Sequence, residues 1–386
     1  MKKHSLILII SVCIFLLASY NSKQTQWQGK IEMEDGVKVI KNPQEPMYGE
    51  IEFELVEDLI ISNEQDEDYL FYRIKGMAVD SKDNIYIIDM SNYRVLVFDK
   101  NGKPIQTIGR QGQGPGEFEM PVGMRLDNST GDIYVRDMFR TIDVFSSNGD
   151  FNKLISSTLF IEDFFPLDDG TIFIRINKTS DEELSSEQVL CRIDDKGEVI
   201  NSIGQFPHPA LMRRTSTGGT FRTSTGFELS VHVAVLNQDK IVYGYSKSYE
   251  LNIVNRAGKL LFIIRRDAPK PKYTSEEQSL YKRIKFPVPE SKPYFYSIFT
   301  DSKERIYVQR NKAQDGIRGY GPIDKAAKEV DVFSQDGYYL YQTVLPPNTT
   351  AIKDGYLYSF DLNEDEGIEY IKWYKIKNWD QIKKGF

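Results

Sequence analysis

The chain encodes an all-β fold, a closed six-bladed β-propeller with four-stranded antiparallel blades. Three observations carry this reading. Tyr and Phe are abundant, 23 and 22 of 386 residues, and much of that aromatic content alternates with Ile and Val in the period-two pattern of strands. An acidic or amide residue, a short turn and then Ile-aromatic-apolar recurs six times, at 80–89, 127–137, 168–176, 237–245, 301–310 and 353–361. A second segment follows five of these copies, at 97–103, 144–150, 192–198, 253–259 and 332–338. Each sets a Gly in a tight turn between apolar-alternating runs, which is a β-hairpin signal.

The first unit reads as strands a to d over Phe71–Val79, Asn84–Asp89, Arg94–Phe98 and Ile105–Ile108. One such sheet cannot hide both faces, so the units stack face to face and close into a ring. The sixth unit runs out of strands after Ile371–Lys377. The strand-like GEIEFELVEDLII (49–61) ahead of the first unit has apolar residues to spare. It is expected to supply the outer strand of the last blade, closing the ring without an isolated sheet edge. The layout is then a signal peptide over 1–20, a linker over 21–48 and the propeller over 49–386.

The first unit also carries a family resemblance. Gly76, Asp80, Asp89, Asn92, Arg94, Phe98 and Gly102 fall on recurring positions of the NHL repeat, as do Pro115, Gly116, Phe118, Pro121 and Gly123 in the link that follows. GMAVDSKDNIYIIDMSNYRVLVFDKNGKPIQTIG (76–109) and GQGPGEFEMPVG (112–123) thus resemble NHL-repeat propellers. The second unit matches more loosely, with Arg140 near the expected basic position, and the rest keep the strand pattern and turn Gly. The whole chain resembles exported six-bladed bacterial propellers, many of unassigned function. The resemblance implies the fold but not the activity, because propellers host hydrolases, lyases, lectin-like binders and scaffolds alike.

Lys2-Lys3, the apolar run Leu6 to Ala18 and the polar stretch from Asn21 read as an export signal. The run is shorter than the roughly 20 residues of a spanning helix, so no transmembrane domain is expected. Leu17-Ala18-Ser19 resembles the residues before a lipidated Cys, but Tyr20 cannot carry a thioether lipid. A periplasmic, cell-surface or secreted protein is therefore expected, with tethering through an uncleaved leader as the lesser alternative. Losing Met1 to Tyr20 removes two lysines and no acid, moving the net charge from −7 to −9. So acidic a body repels a phosphate backbone, which argues against nucleic acid. Cys13 lies in the leader and Cys191 alone remains, so the mature chain has no internal disulfide. Cys191, in VLCRI, reads as a buried apolar residue.

Uneven spacing locates the insertions. The motif Ile precedes the turn Gly by 25 residues in unit three (172 to 197) and by 31 in unit five (306 to 337). The additions, 177–188 and 311–329, fall between strands b and c, and the links 205–226 and 267–294 are long as well. In an antiparallel blade, b–c loops and inter-blade links leave from the same face. That looped face, around the mouth of the central channel, is the expected binding face. The 267–294 link reads as holding a helix with a Thr274/Glu277 capping box, a Leu280/Ile284 face and a stop at Pro287, packed on the disc rather than serving as a lid.

Positive charge is the most suggestive chemical signal. Arg213, Arg214 and Arg222 lie in one long link, Arg136 and Arg175 near equivalent strand-b ends, Arg310 at the end of strand b in unit five, and Arg110 at the start of the first link. Arg forks recognise carboxylate or sulfate bidentately, and Tyr245 offers a stacking surface for a sugar. The competing reading pairs these arginines with loop acids such as Glu182, Glu183 and Asp315. Enzyme signals are sparse. His208 and His232 are too few for a His-rich zinc site, and neither H-E-x-x-H nor G-x-S-x-G occurs. GQGPGEF lacks the Gly-Lys-Ser/Thr ending of a phosphate loop. Asp89, Asp137 and Asp361 sit at equivalent strand-b ends and form a weak set for calcium, although Asp89 is expected to pair with Arg94. No other cofactor is expected. The leading expectation is an exported, non-catalytic recognition protein for a glycan, peptide or protein partner, anionic ligands included. The alternative is a metal-dependent hydrolase, lactonase or lyase with its site at the channel mouth.

Overall fold

The computed structural model describes residues 27–62, 69–310 and 327–385, apart from 128, 181–182, 209–210, 217, 238 and 364–365. The expected signal peptide and most of the 311–329 insertion lie outside the described residues. Three strands precede the first repeat: β1 (Lys30–Glu34), β2 (Val37–Asn42) and β3 (Leu55–Ser62). Blade one is β4 (Ile74–Val79), β5 (Ile85–Asp89), β6 (Arg94–Phe98) and β7 (Pro104–Ile108). Blade two is β8 (Pro121–Leu126), β9 (Ile133–Asp137), β10 (Thr141–Phe145) and β11 (Phe151–Ser156). Blade three is β12 (Ile161–Pro166), β13 (Ile172–Ser180), β14 (Ser185–Ile193) and β15 (Val199–Pro207). A small hairpin, β16 (Leu211–Arg214) with β17 (Thr220–Thr223), precedes blade four, which is β18 (Val231–Asn237), β19 (Lys240–Tyr245), β20 (Glu250–Asn255) and β21 (Leu260–Arg266). After helix α1 (Ser275–Arg283) comes blade five, β22 (Ser297–Thr300), β23 (Ile306–Gln309), β24 (Lys328–Phe333) and β25 (Tyr339–Leu345). Blade six is β26 (Thr349–Lys353), β27 (Tyr356–Asn363) and β28 (Ile368–Ile376), completed by β3, which pairs antiparallel with β28. The fold is a six-bladed propeller closed by its N-terminal strand.

The second strand of each blade is apolar because both its faces are covered. All five residues of β5 are buried, and they alternate between seams. Ile85 and Ile87 join Leu96 and Phe98 against Tyr358, Ile371 and Trp373 of blade six. Tyr86 and Ile88 join Val95 and Val97 against Met124, Ile133 and Val135 of blade two. Period-two alternation within an all-apolar run is what a two-sided blade demands.

Residues 30–42, within the stretch read as linker, instead form a hairpin. Asp35 and Gly36 both take positive φ, 49° and 80°, which suits a two-residue hairpin turn. The hairpin extends blade four to six strands, β2 lying parallel to β21. Asn42, buried, locks it in place: its side chain donates to the Gly337 carbonyl (2.8 Å) and accepts from the Tyr339 N–H (2.8 Å) and the Trp27 indole (2.9 Å).

The insertion at 177–188 becomes length rather than a floppy loop. β13 and β14 are nine residues each and pair from Ile172↔Ile193 to Ser180↔Ser185. Helix α1 has the expected capping box, Thr274 Oγ1 accepting from the Glu277 N–H while the Glu277 carboxylate accepts from the Thr274 N–H. It ends at Arg283, ahead of Pro287, where Lys285 takes φ 59°. Its most buried residue is Tyr281, packed with Phe227 and Tyr273. The helix and the link ahead of blade four thus share a satellite core on the looped side.

Candidate functional site

The looped face is built from repeated anchors. Where a link turns into the first strand of a blade, a side chain from a neighbouring strand accepts its N–H groups. Asp89 accepts from Tyr72, Asp137 from Glu119 and Met120, Gln188 from Val231, and Glu369 from Arg73 and Ile74. These groups fix the mouth of the channel.

The three acids weighed for calcium each have partners of their own. Asp89 is fully buried and also takes the Arg94 guanidinium at 2.9 Å. Asp137 caps the link ahead of β8, and burial, opposed by those backbone N–H groups, raises its pKa. Asp361 pairs with Lys372 at 3.1 Å. Each belongs to its own blade, and among the described residues no group of three His, Cys, Asp or Glu stands together as a metal site.

The arginines divide in the same way. Arg136 donates to the carbonyls of Ile161 (2.6 Å) and Glu162, and Arg175 to the carbonyl of Val231 (2.7 Å). Both reach from strand b to the first strand of the next blade, so they clip blade two to three and three to four. Arg310 turns outward to the blade four–five seam, 3.1 Å from buried Asp331, which also holds Arg266 (2.8 Å) and the Tyr339 hydroxyl (2.7 Å). Arg110 pairs with Glu117 at 2.9 Å. Arg213 lies over Phe221 (4.8 Å) and Phe286 (5.9 Å), beside the satellite core, and Arg214 is exposed on the same strand. The side chain of Arg222 lies outside the described residues. Tyr245 packs on Phe206 (5.5 Å) and donates its hydroxyl to the Pro207 carbonyl, and burial raises its pKa. The structure therefore gathers Arg136 and Arg175 at the mouth and disperses the others.

Around those two lies a polar cluster. Glu162 faces Arg175 at 3.6 Å and accepts from Asn177 and from Gln188 (3.3 Å). Arg125 pairs with Asp163 at 3.0 Å. His232 stays neutral, its pKa lowered to about 3 by burial first and then by Arg175 and His208.

Beside the cluster is a feature the sequence reading missed. Phe139, in the b–c loop of blade two, and Phe160, at the end of the following link, stack with centroids 4.4 Å apart and planes at 15°. The Ile161 N–H donates to the Phe139 carbonyl (2.7 Å) and the Ser157 N–H to the Arg140 carbonyl (2.9 Å), so loop and link hold each other. Phe160 is 42% exposed and Met138 43%. Arg136 lies 5.8 Å from the Phe139 ring centre. The result is a rigid aromatic ledge on the looped face, next to a guanidinium. Its only sequence signal was an aromatic residue in a short polar turn.

Two larger clefts lie on the outer rim instead. One, about 580 Å³, lies where the N-terminal hairpin joins blade four, and its Lys41 and Arg265 are already paired with Glu32, Glu34 and Glu250. The other, about 860 Å³, runs between residues 50–55 and the outer strand of blade five.

Comparison with known proteins agrees with this architecture. A crystal structure of a DUF4221 family member from Bacteroides vulgatus is 15% identical, covering 84% of this chain and 98% of that one with a TM-score of 0.52. A Bacteroides fragilis protein classed as exported is 12% identical, covering 88% and 99% with a TM-score of 0.53. At these identities the likeness is one of fold. No curated protein matches in sequence. Residues 59–309 match the DUF5128 family, described as a 6-bladed beta-propeller, and the chain belongs to that family.

Proposed function

We propose that the chain is an exported recognition protein that binds its ligand without catalysis, at the aromatic ledge where blades two and three meet beside the channel mouth. Phe160, exposed and stacked on the half-buried Phe139, carries the reading. Phe160 and the neighbouring Met138 present apolar surface on the loop-bearing face that a ligand would cover. The second ring holds the first in place, so little entropy is lost on binding.

The groups an enzyme would need are engaged elsewhere. Asp89, Asp137 and Glu369 accept backbone N–H groups, His232 is held neutral, and His208 Nδ1 is 2.7 Å from the Leu229 carbonyl. A metal-dependent hydrolase, lactonase or lyase would need converging donors, and none converge among the described residues. Export is supported by the leader-like pattern over residues 1–20 and by the structural relative classed as exported. Among the described residues no helix is long and apolar enough to cross a membrane.

The test is a melting screen of the chain and of Phe160→Ala against oligosaccharides and peptides. A ligand at about 100 times its Kd stabilises by roughly 2.7 kcal/mol. Hits should lose their shift in Phe160→Ala while the free protein melts as before. Hits that shift both proteins equally would place binding somewhere other than the ledge.

A further inference from the structure

Charge around the ledge is unbalanced, and the imbalance narrows the ligand. Arg125 is matched by Asp163 and Arg175 by Glu162. Arg136 is different. Its guanidinium donates to the carbonyls of Ile161 and Glu162, and its Nε is buried without a hydrogen-bond partner. The carboxylates that act on it, Asp163 and Glu162, are the ones already paired with Arg125 and Arg175, so three guanidinium groups share two carboxylates. Carbonyl dipoles satisfy donors but do not cancel a full charge, and burial lowers its pKa. Arg140 adds a second positive charge. Its backbone is fixed by the bond from Ser157, while its side chain is exposed and makes no hydrogen bond or ion pair among the described residues. An apolar ring face thus lies beside a cluster with an excess of guanidinium charge, and Arg140 is exposed on the loop that carries Phe139, on a chain whose net charge is −7.

Building on the ledge reading, we infer that the ligand is a saccharide bearing an oxyanion, its sugar ring against Phe160 and its oxyanion on Arg140, with Arg136 supplying long-range attraction. A pyranose presents a face of C–H groups that suits an aromatic ring, and a carboxylate or sulfate suits the planar fork of Arg. Arg140 is free to turn toward the oxyanion, so its entropy cost is small beside a charge-assisted hydrogen bond. Arg136 is held by the blade seam and cannot turn, so it acts through its field.

Calorimetric titration of the purified chain with three probes tests this: a galacturonic acid trimer, its methyl ester, and a galactose oligosaccharide carrying 6-sulfate. At least one anionic probe should bind about tenfold more tightly than the ester, and added salt should erase the difference. Preference for the uronate or the sulfate identifies which oxyanion is read. Arg140→Ala should bring the anionic probe to the affinity of the ester and leave the ester unchanged. Phe160→Ala should weaken every probe, and Phe160→Trp should restore them. Equal affinity of ester and anionic probes overturns the oxyanion assignment and leaves the ledge reading standing. Binding that ignores Phe160→Ala overturns the ledge reading itself, and no binding by any probe overturns both.

Discussion

Asp143 and Asp331 occupy the same register in their blades, opposite Val135 and Val308, yet meet opposite environments. Asp331 is fully buried among Arg266, Arg310 and two tyrosine hydroxyls. Asp143, 3% exposed, receives the Gly116 N–H, and its pKa is pushed up to about 7, by burial first and then by Asp137. In the unfolded chain Asp loses its proton near 4. From about pH 4 to 7 the unfolded state therefore binds fewer protons, and stability falls as pH rises, by up to about 1.4 kcal/mol per unit. Asp143→Asn should remove this loss, giving a variant more stable than the parent at pH 8 and close to it at pH 4. Urea midpoints at the two pH values check the expectation, and a gap that does not widen with pH would refute it. Arg175→Met should cost about 1–3 kcal/mol, because the Val231 carbonyl loses its donor and Glu162 loses the positive charge that faces it. At this scale the sequence was half legible. The motif Asp announced its role, as in Asp80, which accepts the N–H groups of Lys82 and Asn84 and the Tyr86 hydroxyl. Arg136 does sit near the end of strand b, in β9, whereas Arg175 lies mid-strand because the insertion lengthens β13 beyond it. Spacing also cannot say whether a guanidinium meets solvent or the carbonyl of the next blade.

Between strands and blades, the recurring turn glycine has two causes that act together. Gly102, Gly149, Gly197, Gly258 and Gly337 all take positive φ, from 78° to 90°. Each also abuts the outer strand of the preceding blade, where a methyl group would lie 2.0–2.8 Å from Leu59, Gln106, Ser156, Ile203 or Ile264. The hairpin turn is thus the contact by which one blade registers on the last. Gly102→Ala should destabilise by about 1–3 kcal/mol, more than backbone strain alone, because the Leu59 contact belongs to the seam that closes the ring. Denaturant midpoints would show it, and a loss under about 0.5 kcal/mol would mean that the seam yields. The strand pattern made these elements legible, since each apolar run must serve two seams. The ledge was not legible for the opposite reason. Phe139 and Phe160 are 21 positions apart, on a loop and a link with no periodicity of their own, and only the stacking of blade three on blade two brings them together.

Over the whole molecule, the first described residues form a belt that meets blades four, five and six in chain order. β1 and β2 widen blade four, and residues 47–51 bond alongside β25 through Met47 N–H to Tyr339 O (3.0 Å) and Ile51 N–H to Gln342 O (2.8 Å). β3 then completes blade six. The C-terminal turn seals the same region, with Trp379 and Ile382 in the blade five–six core and the Tyr48 hydroxyl donating to the Gly385 carbonyl. Closure by residues 49–61 was readable because blade six lacked a strand. The hairpin at 30–42 was less so, although Asp35-Gly36 between Met33 and Val37 held the signal, since nothing in the repeat required a fifth and sixth strand. The two parts of the belt should consequently fail differently. A chain beginning at Met47 keeps six complete blades but loses Val39 and Ile40, both fully buried. At about 1.5–3 kcal/mol for each such side chain, it should fold and melt several degrees lower. A chain beginning at Ile74 leaves Ile371 and Trp373 uncovered along an open edge, and should lose cooperative unfolding and self-associate. Calorimetry with size-exclusion chromatography separates the cases. If both truncations melted alike, closure would not depend on β3, and the ring would be held by its blade seams alone.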